Sequence, residues 1–206
     1  MENCVFCDRS QFEERLCGET KDFWIIATLG QITDGGYVLL VPKQHVECVG
    51  AMKRLELEIM SGVIHAIRTA LYEEYNLLDI EQITIFEHGI VGQTIKHAHF
   101  HFIPEICNIS KKVLNDFPNC EIDNTIRALD ELRILYKKRK EPYLLWKDDE
   151  VDIKICWNPP APLQYLRTVV AEALGRPERA NWRNMDPKLD KKLWSETVRR
   201  LKTYKF

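Results

Sequence analysis

The chain has 206 residues, 45% of them hydrophobic and 29% charged, the balance of a globular protein long enough to bury a substantial core. Its formal charge of -2 gives no overall field to hold duplex nucleic acid, so any anion site must be local. No apolar stretch approaches the ~18 residues of a membrane span, and Met1-Glu2-Asn3-Cys4 lacks the basic, then apolar, opening of a signal peptide, so a cytoplasmic protein is expected.

In chain order, residues 23–26 read as a short strand, and residues 37–41, after Asp34-Gly35-Gly36 and before Pro42, as a second. Over residues 52–75 the apolar positions Met52, Leu55, Ile59, Val63, Ile67, Leu71 and Tyr75 recur every three or four residues, which predicts one amphipathic helix across a sheet. Two more strands follow at residues 82–86 and 98–104, joined by a loop from Glu87 to Thr94. Ile126, Leu129, Leu132 and Leu135 then predict a helix over residues 123–140, whose basic end, Lys137-Lys138-Arg139-Lys140, suits a solvated last turn at the negative end of the helix dipole. A hairpin follows, with strands at 143–146 and 151–155 turning at Asp148-Asp149, and closing helices at 163–174 and 189–201. The fold class is α+β.

Five of the seven cysteines (Cys17, Cys48, Cys107, Cys120, Cys156) are scattered singly and read as reduced thiols. Cys4 and Cys7 have the C-x-x-C spacing with which two thiolates share one tetrahedral metal. His97-Ala98-His99-Phe100-His101-Phe102-Ile103-Pro104 alternates polar and apolar, so an extended backbone puts three imidazoles on one face and Ala98, Phe100 and Phe102 towards the core. Three converging imidazoles suit a nucleophilic histidine site or a three-histidine catalytic zinc site, and the strand alone does not choose. Just before them, Gly92-Gln93-Thr94 offers backbone N–H groups, an amide and a hydroxyl to phosphate oxygens. His88, His65, Lys96, Trp146, Trp157 and Trp182 read as turn, surface, core or interface residues rather than site residues.

The segment from His97 to Ile103 resembles the H-φ-H-φ-H-φ-φ motif, φ being hydrophobic, of the histidine triad family. Cys4-Val5-Phe6-Cys7 is similar to its N-terminal C-x-F-C, the run from Gly36 to His45 to its glycine-strand-P-K-x-H segment, and Gly92-Gln93-Thr94 to its G-Q-S/T loop, in the same order. Phe86-Glu87-His88-Gly89, Gln164-Tyr165-Leu166-Arg167 and Asn181-Trp182-Arg183 resemble the longer bacterial-type members, so the expected organisation is a triad core over residues 1–107 and a C-terminal α/β extension packed on it over 108–206.

The resemblance implies a nucleotide hydrolase or nucleotidyltransferase. His99 would attack the α-phosphorus of an adenosine-type nucleotide, such as a dinucleoside polyphosphate or nucleoside phosphoramidate, to form a covalent nucleotidyl-histidine. His101 would bond a phosphate oxygen, with Gly92, Gln93 and Thr94 holding the remaining oxygens and the leaving group. It further implies a structural zinc on Cys4, Cys7, His45 and His97, and a homodimer. Minimal members carry an aspartate for the ribose hydroxyls, and counting back from Pro42 puts Leu29 at that place. Two readings of other classes stay beside it: a nucleotide-binding adaptor without turnover, and a hydrolase with zinc on the three histidines.

Overall fold

The computed structural model describes residues 4–148 and 152–206, apart from the side chain of Thr125; Met1 to Asn3, the Asp149 turn and the expected strand position Val151 lie outside them. The elements are β1 (Leu16–Glu19), β2 (Phe23–Ala27), β3 (Val38–Pro42), α1 (Arg54–Glu74), β4 (Thr84–Gly89), β5 (Phe100–Ile103), α2 (Ile109–Asp116), β6 (Ile122–Ile126), α3 (Leu129–Arg139), β7 (Tyr143–Lys147), β8 (Ile153–Trp157), α4 (Tyr165–Ala173) and α5 (Pro187–Leu201). The strands form one sheet in the order β1-β2-β3-β5-β4-β7-β8-β6, with each strand antiparallel to its neighbour.

Alternation along each strand feeds two cores, because successive side chains leave opposite faces of the sheet. On one face Ile25, Leu40, Ile85, Phe100, Phe102 and Leu145 meet the Leu57, Met60, Val63 and Ile67 stripe of α1, with Leu132 of α3 and Trp194 of α5. On the other, Ile26, Leu39, Val41, Phe86, Leu144 and Trp146 meet Ile109 and Val113 of α2 and Leu166, Val169 and Val170 of α4. Local signals set the helix starts. Glu56 accepts the Lys53 N–H ahead of α1 at 2.9 Å, and Asp186 accepts the Leu189 N–H at 2.7 Å with Pro187 in the first turn of α5.

The single helix expected over residues 123–140 is instead β6 followed by α3. Ile126 lies three residues before Leu129 and so mimics a helical stripe, but Asp123 and Asn124 are weak helix formers, and Ile126 pairs with Ile153 of β8. The basic end of α3 is solvated at Lys137 and Lys138, while Arg139 pairs with Glu121 and lies over Trp157. Strand β1 and helix α2 were not expected. Asn108 starts α2 by accepting the Lys111 N–H at 3.0 Å, an N-cap hidden in an otherwise loose stretch. The region after residue 107 also does more than flank the sheet, since β7 pairs directly with β4. Among the described residues no helix is long and apolar enough to cross a membrane.

Candidate active site and metal centre

The three histidines enter β5 from an extended lead, pinned where Ala98 N–H donates to the Val46 carbonyl at 2.7 Å. Ala98, Phe100 and Phe102 are buried in the α1-side core, as the alternation requires, and the three imidazoles face the other side. His101 sits opposite Leu39 of β3 and Phe86 of β4, and its ring stacks on Phe86 with centroids 4.2 Å apart and planes 8° apart. All three rings are buried, but each has a different partner. His97 Nε2 donates to the Pro42 carbonyl at 2.8 Å. His99 Nδ1 donates to the His97 carbonyl at 2.7 Å. His101 Nδ1 is 2.6 Å from the Tyr37 hydroxyl.

Those bonds set the chemistry. With its Nδ1–H held by a carbonyl, His99 is the tautomer whose Nε2 carries a free lone pair. Burial pushes its pKa down to about 4, against the raising effect of the His97 carbonyl, so the ring is neutral and nucleophilic near pH 7. Burial also holds His101 well below 6.5, with the neighbouring His99, His88 and Arg167 adding to the effect.

His99 and His101 line a cavity of about 330 Å³. Thr94 and Ile95 form one side of it; Val5, Phe6 and Leu29 supply apolar wall; and Gln164, Arg167, Trp182 and Arg183 come from the second half of the chain. Arg15, Arg167 and Arg183 all line it, and among the described residues no carboxylate does. A chain of net charge -2 thus holds a locally cationic cleft, suited to phosphate.

Two glycines permit this convergence. A Cβ on Gly92, at φ +75°, would lie 2.9 Å from the Pro162 carbonyl and 3.0 Å from the His88 ring; one on Gly30, at φ +69°, would lie 2.4 Å from Trp182 Cβ. Arg167 Nη2 donates to the Gly30 carbonyl at 2.8 Å, and Asp190 accepts the N–H groups of Gly30 and Gln31, both at 3.0 Å, so helices α4 and α5 clamp the loop that carries Leu29.

Other residues of the triad region fall outside the cavity wall. Gln93 is buried, and its amide nitrogen donates to the Glu47 carbonyl at 2.8 Å, which ties the loop down from behind. His88 is buried on β4 with Nε2 accepting the Leu166 N–H at 3.0 Å, a helix-start contact for α4. His65 and Lys96 are exposed. Trp146 and Trp157 are core residues, whereas Trp182 belongs to the cavity.

Behind the Gln93 loop lies a buried carboxyl. Glu87 accepts the Val49 N–H at 2.8 Å and the Tyr143 hydroxyl at 2.7 Å, yet burial outweighs both and raises its pKa from 4.5 to about 7. The folded chain therefore keeps this proton more tightly than the unfolded one. The resulting stabilisation is present below pH 4.5 and is lost as pH rises through 7, by roughly 3 kcal/mol. Glu87→Gln, which cannot ionise, is expected to flatten that part of the curve. Urea unfolding of both proteins at pH 5 and pH 8 measures it; equal pH dependence would show that Glu87 ionises at no cost.

Cys4, Cys7, His45 and His97 bring one donor atom each to within 4.8 Å of one another. Cys4 Sγ lies 3.3 Å from His97 Nδ1, and Cys7 Sγ lies 3.6 Å from His97 Nδ1 and 3.4 Å from His45 Nδ1. A tetrahedral ion bonded at usual lengths to sulfur and nitrogen leaves them about 3.5 Å apart, so the four donors fit a metal with little movement. Among the described residues this is the metal-competent group of histidine, cysteine and carboxylate donors. It takes His97 away from the other two histidines, and the triad rings do not converge on one point.

In a search of curated proteins nothing matched. Solved structures similar to this chain include a HIT family protein from Bacillus anthracis str. 'Ames Ancestor', at 25% identity and TM-score 0.45 over 50% of this chain and 74% of that one. Another is SMU.412c from Streptococcus mutans UA159, at 26% and 0.45 over 51% and 67%. A third is the hypothetical histidine triad nucleotide-binding protein ST2152 from Sulfolobus tokodaii strain7, at 22% and 0.43 over 50% and 68%. The family profile described as "Scavenger mRNA decapping enzyme C-term binding" matches residues 3–112, the segment that carries Cys4, Cys7, His45 and all three triad histidines. That match spans more than half of the 206 residues, and the chain belongs to this family and with it to the histidine triad (HIT) proteins.

Proposed function

We propose that the chain is a nucleotide hydrolase or nucleotidyltransferase in which His99 Nε2 attacks the α-phosphorus of an adenosine-type nucleotide. The observation that carries this is the His99 Nδ1 bond to the His97 carbonyl, which leaves Nε2 unprotonated in the wall of a cleft with three arginines and, among the described residues, no carboxylate. Attack forms a phosphorus–nitrogen bond as the bond from phosphorus to the leaving group breaks in line, the leaving group departing with that electron pair. A second displacement, by water or by a phosphate acceptor, breaks the phosphorus–nitrogen bond, whose electron pair returns to Nε2 to restore the neutral ring, and an attacking water releases its proton to solvent.

In this reading His101 and Thr94 contact phosphate oxygens, and Gly92 and Gln93 hold the loop that presents Thr94, so that positioning and charge complementarity supply most of the rate. Val5, Phe6, Leu29 and Trp182 offer apolar surface to a base. Leu29 gives the ribose no carboxylate, and the Thr28 hydroxyl and Arg15 guanidinium are the polar groups of that wall. Dinucleoside polyphosphates and nucleoside phosphoramidates both present an α-phosphorus with a leaving group.

Residues 1–107 form the triad core and residues 108–206 an extension that completes the cleft. Cys4, Cys7, His45 and His97 hold a structural zinc, whose role is to tie the N-terminal turn to the strand that carries the triad. The reading includes a homodimer; both edges of β4 are already paired within one chain, so a second copy would meet β1, β6 or a helical face.

The test is to quench turnover without acid, using substrate labelled at the α-phosphate. Label is expected on His99, located by mass spectrometry, in an acid-labile bond. An active protein that never retains label would overturn the covalent route.

A further inference from the structure

The Tyr37 hydroxyl and His101 Nδ1, 2.6 Å apart, can share a proton in two ways, and the surroundings choose between them. Tyr37 has no exposed surface, and His101 is buried as well. If Nδ1–H donated to the phenol oxygen, the phenol's own proton would need another acceptor. Besides Nδ1, the side chain that hydrogen-bonds the hydroxyl among the described residues is Arg167, and it can only donate to the phenol oxygen. The guanidinium of Arg167, whose carbon lies 5.2 Å from the centre of the Tyr37 ring, carries donors only. A buried O–H without an acceptor is strongly disfavoured, so the phenol O–H donates the hydrogen bond and Nδ1 accepts it.

The consequence falls at the other end of the imidazole. A neutral ring that accepts at Nδ1 carries its hydrogen on Nε2, and that atom is buried without a hydrogen-bond partner among the described residues, on a side chain that lines the cleft. His99 is the reverse case, with its hydrogen on Nδ1 and a bare Nε2. The two rings, with centroids 4.8 Å apart, therefore offer different groups to the same cleft: a lone pair from His99 and an N–H from His101. Were His101 in the other tautomer, two lone pairs would face an anionic phosphate with no donor between them.

We propose that Tyr37 is a positioning residue that fixes His101 in the Nε2–H tautomer, so that His101 donates a hydrogen bond to a phosphate oxygen while His99 attacks the phosphorus. This rests on the nucleotidyl-transfer reading of the site and adds to it the residue that separates the roles of two chemically identical side chains. No proton is transferred. The N–H stays on His101, and its bond strengthens as charge gathers on the phosphate oxygens.

Tyr37 can be altered without moving the ring, because Phe86 stacks on one face of His101 and His88 meets it edge-on with centroids 5.8 Å apart. Nitrogen-15 NMR of the zinc-loaded, histidine-labelled protein reads the tautomer directly, with the His101 signals assigned by their loss in His101→Asn. Wild type is expected to show Nδ1 unprotonated and Nε2 protonated at His101, and the opposite at His99. In Tyr37→Phe the His101 nitrogens should move towards a mixture of tautomers while those of His99 stay. The kcat should fall roughly tenfold to a hundredfold, with KM changed much less. An Nδ1–H signal for His101 in wild type overturns the proposal, as does an unchanged His101 spectrum in the variant. Should Tyr37→Phe fail to fold, the wild-type spectrum alone decides the tautomer. That spectrum needs no substrate, so a missing label on His99 would count against the covalent route and leave the tautomer separately determined.

Discussion

His99→Gly is expected to lower turnover by roughly 10⁴-fold or more, the loss that follows removal of a bond-forming atom rather than of a contact. At 1.36 kcal/mol per factor of ten this is about 5.5 kcal/mol of barrier. Nucleotide affinity should survive, because His101, Thr94 and the three arginines remain in the wall. The fold should survive too: the register of β5 with β3 and β4 runs through residues 100–103, beyond the substituted position. The measurement is single-turnover kinetics beside nucleotide titration, circular dichroism and metal content. A variant that turns over as fast as wild type would remove His99 from the reaction. A wild type whose rate tracks added zinc, with no trapped label, would favour a metal-bound hydroxide over a histidine nucleophile.

Withdrawal of the proposed structural zinc is expected to have the largest effect on stability. Cys4 and Cys7 belong to a turn whose residues 5–7 form one short 3-10 helix, and few buried side chains hold that turn to the sheet apart from Phe6, which packs edge-on against His97 and His99 at 5.8 and 5.2 Å. Zinc at a thousand times its dissociation constant stabilises the folded chain by about 4 kcal/mol, which in a protein of this size lowers the melting temperature by roughly 10 °C when it is withdrawn. Cys4→Ala and Cys7→Ala should each reproduce most of that shift and release the metal. Calorimetry with metal analysis on reduced protein checks it. Unchanged melting in both variants, or protein that purifies without zinc and gains no stability from it, would rule out a structural zinc. The Phe6 contacts add a second expected consequence: chelation should also slow turnover, through the displaced wall of the cleft and not through chemistry at the ion.

How far the sequence carried this reading depended on the range of each signal. Alternation over seven residues placed His97, His99 and His101 on one face and Ala98, Phe100 and Phe102 on the other, because the pleat of an extended chain permits nothing else. The existence of α1 was equally plain from three- and four-residue spacing, but its buried face was only partly the expected one: Val63, Ile67 and Leu71 are buried, whereas Leu55 and Ile59 are exposed and Leu57 and Met60 enter the core in their place. Beyond that range the pattern misled. Ile126 kept helical spacing with α3 while pairing as a strand with Ile153, and only the tertiary partner decides such a case. Arg15, Arg167 and Arg183 reach one cleft from three separate segments, and no local rule could bring them together. Gln93 looked like a phosphate ligand, but the direction of its amide depends on the Glu47 carbonyl 46 residues away. The Tyr37 bond to His101 spans 64 residues and left no trace in either segment alone.

The place of β4 between β5 and β7 also imposes an order in time. A chain emerging from the ribosome has completed β5 by residue 103, but the outer partner of β4 begins only at residue 143. At ordinary synthesis rates this leaves a few seconds, about 2 to 8 s, in which the N–H and C=O groups of that outer edge have no neighbour. Through the same interval Glu87 lacks the Tyr143 hydroxyl and His88 lacks the N–H of Leu166. An open edge of six residues that end up buried is a template for pairing with another nascent chain. Newly made molecules on crowded polysomes are therefore at greatest risk of aggregation before β7 arrives, and the cleft, whose wall includes Arg167 and Trp182, cannot be complete until residue 182 has been synthesised.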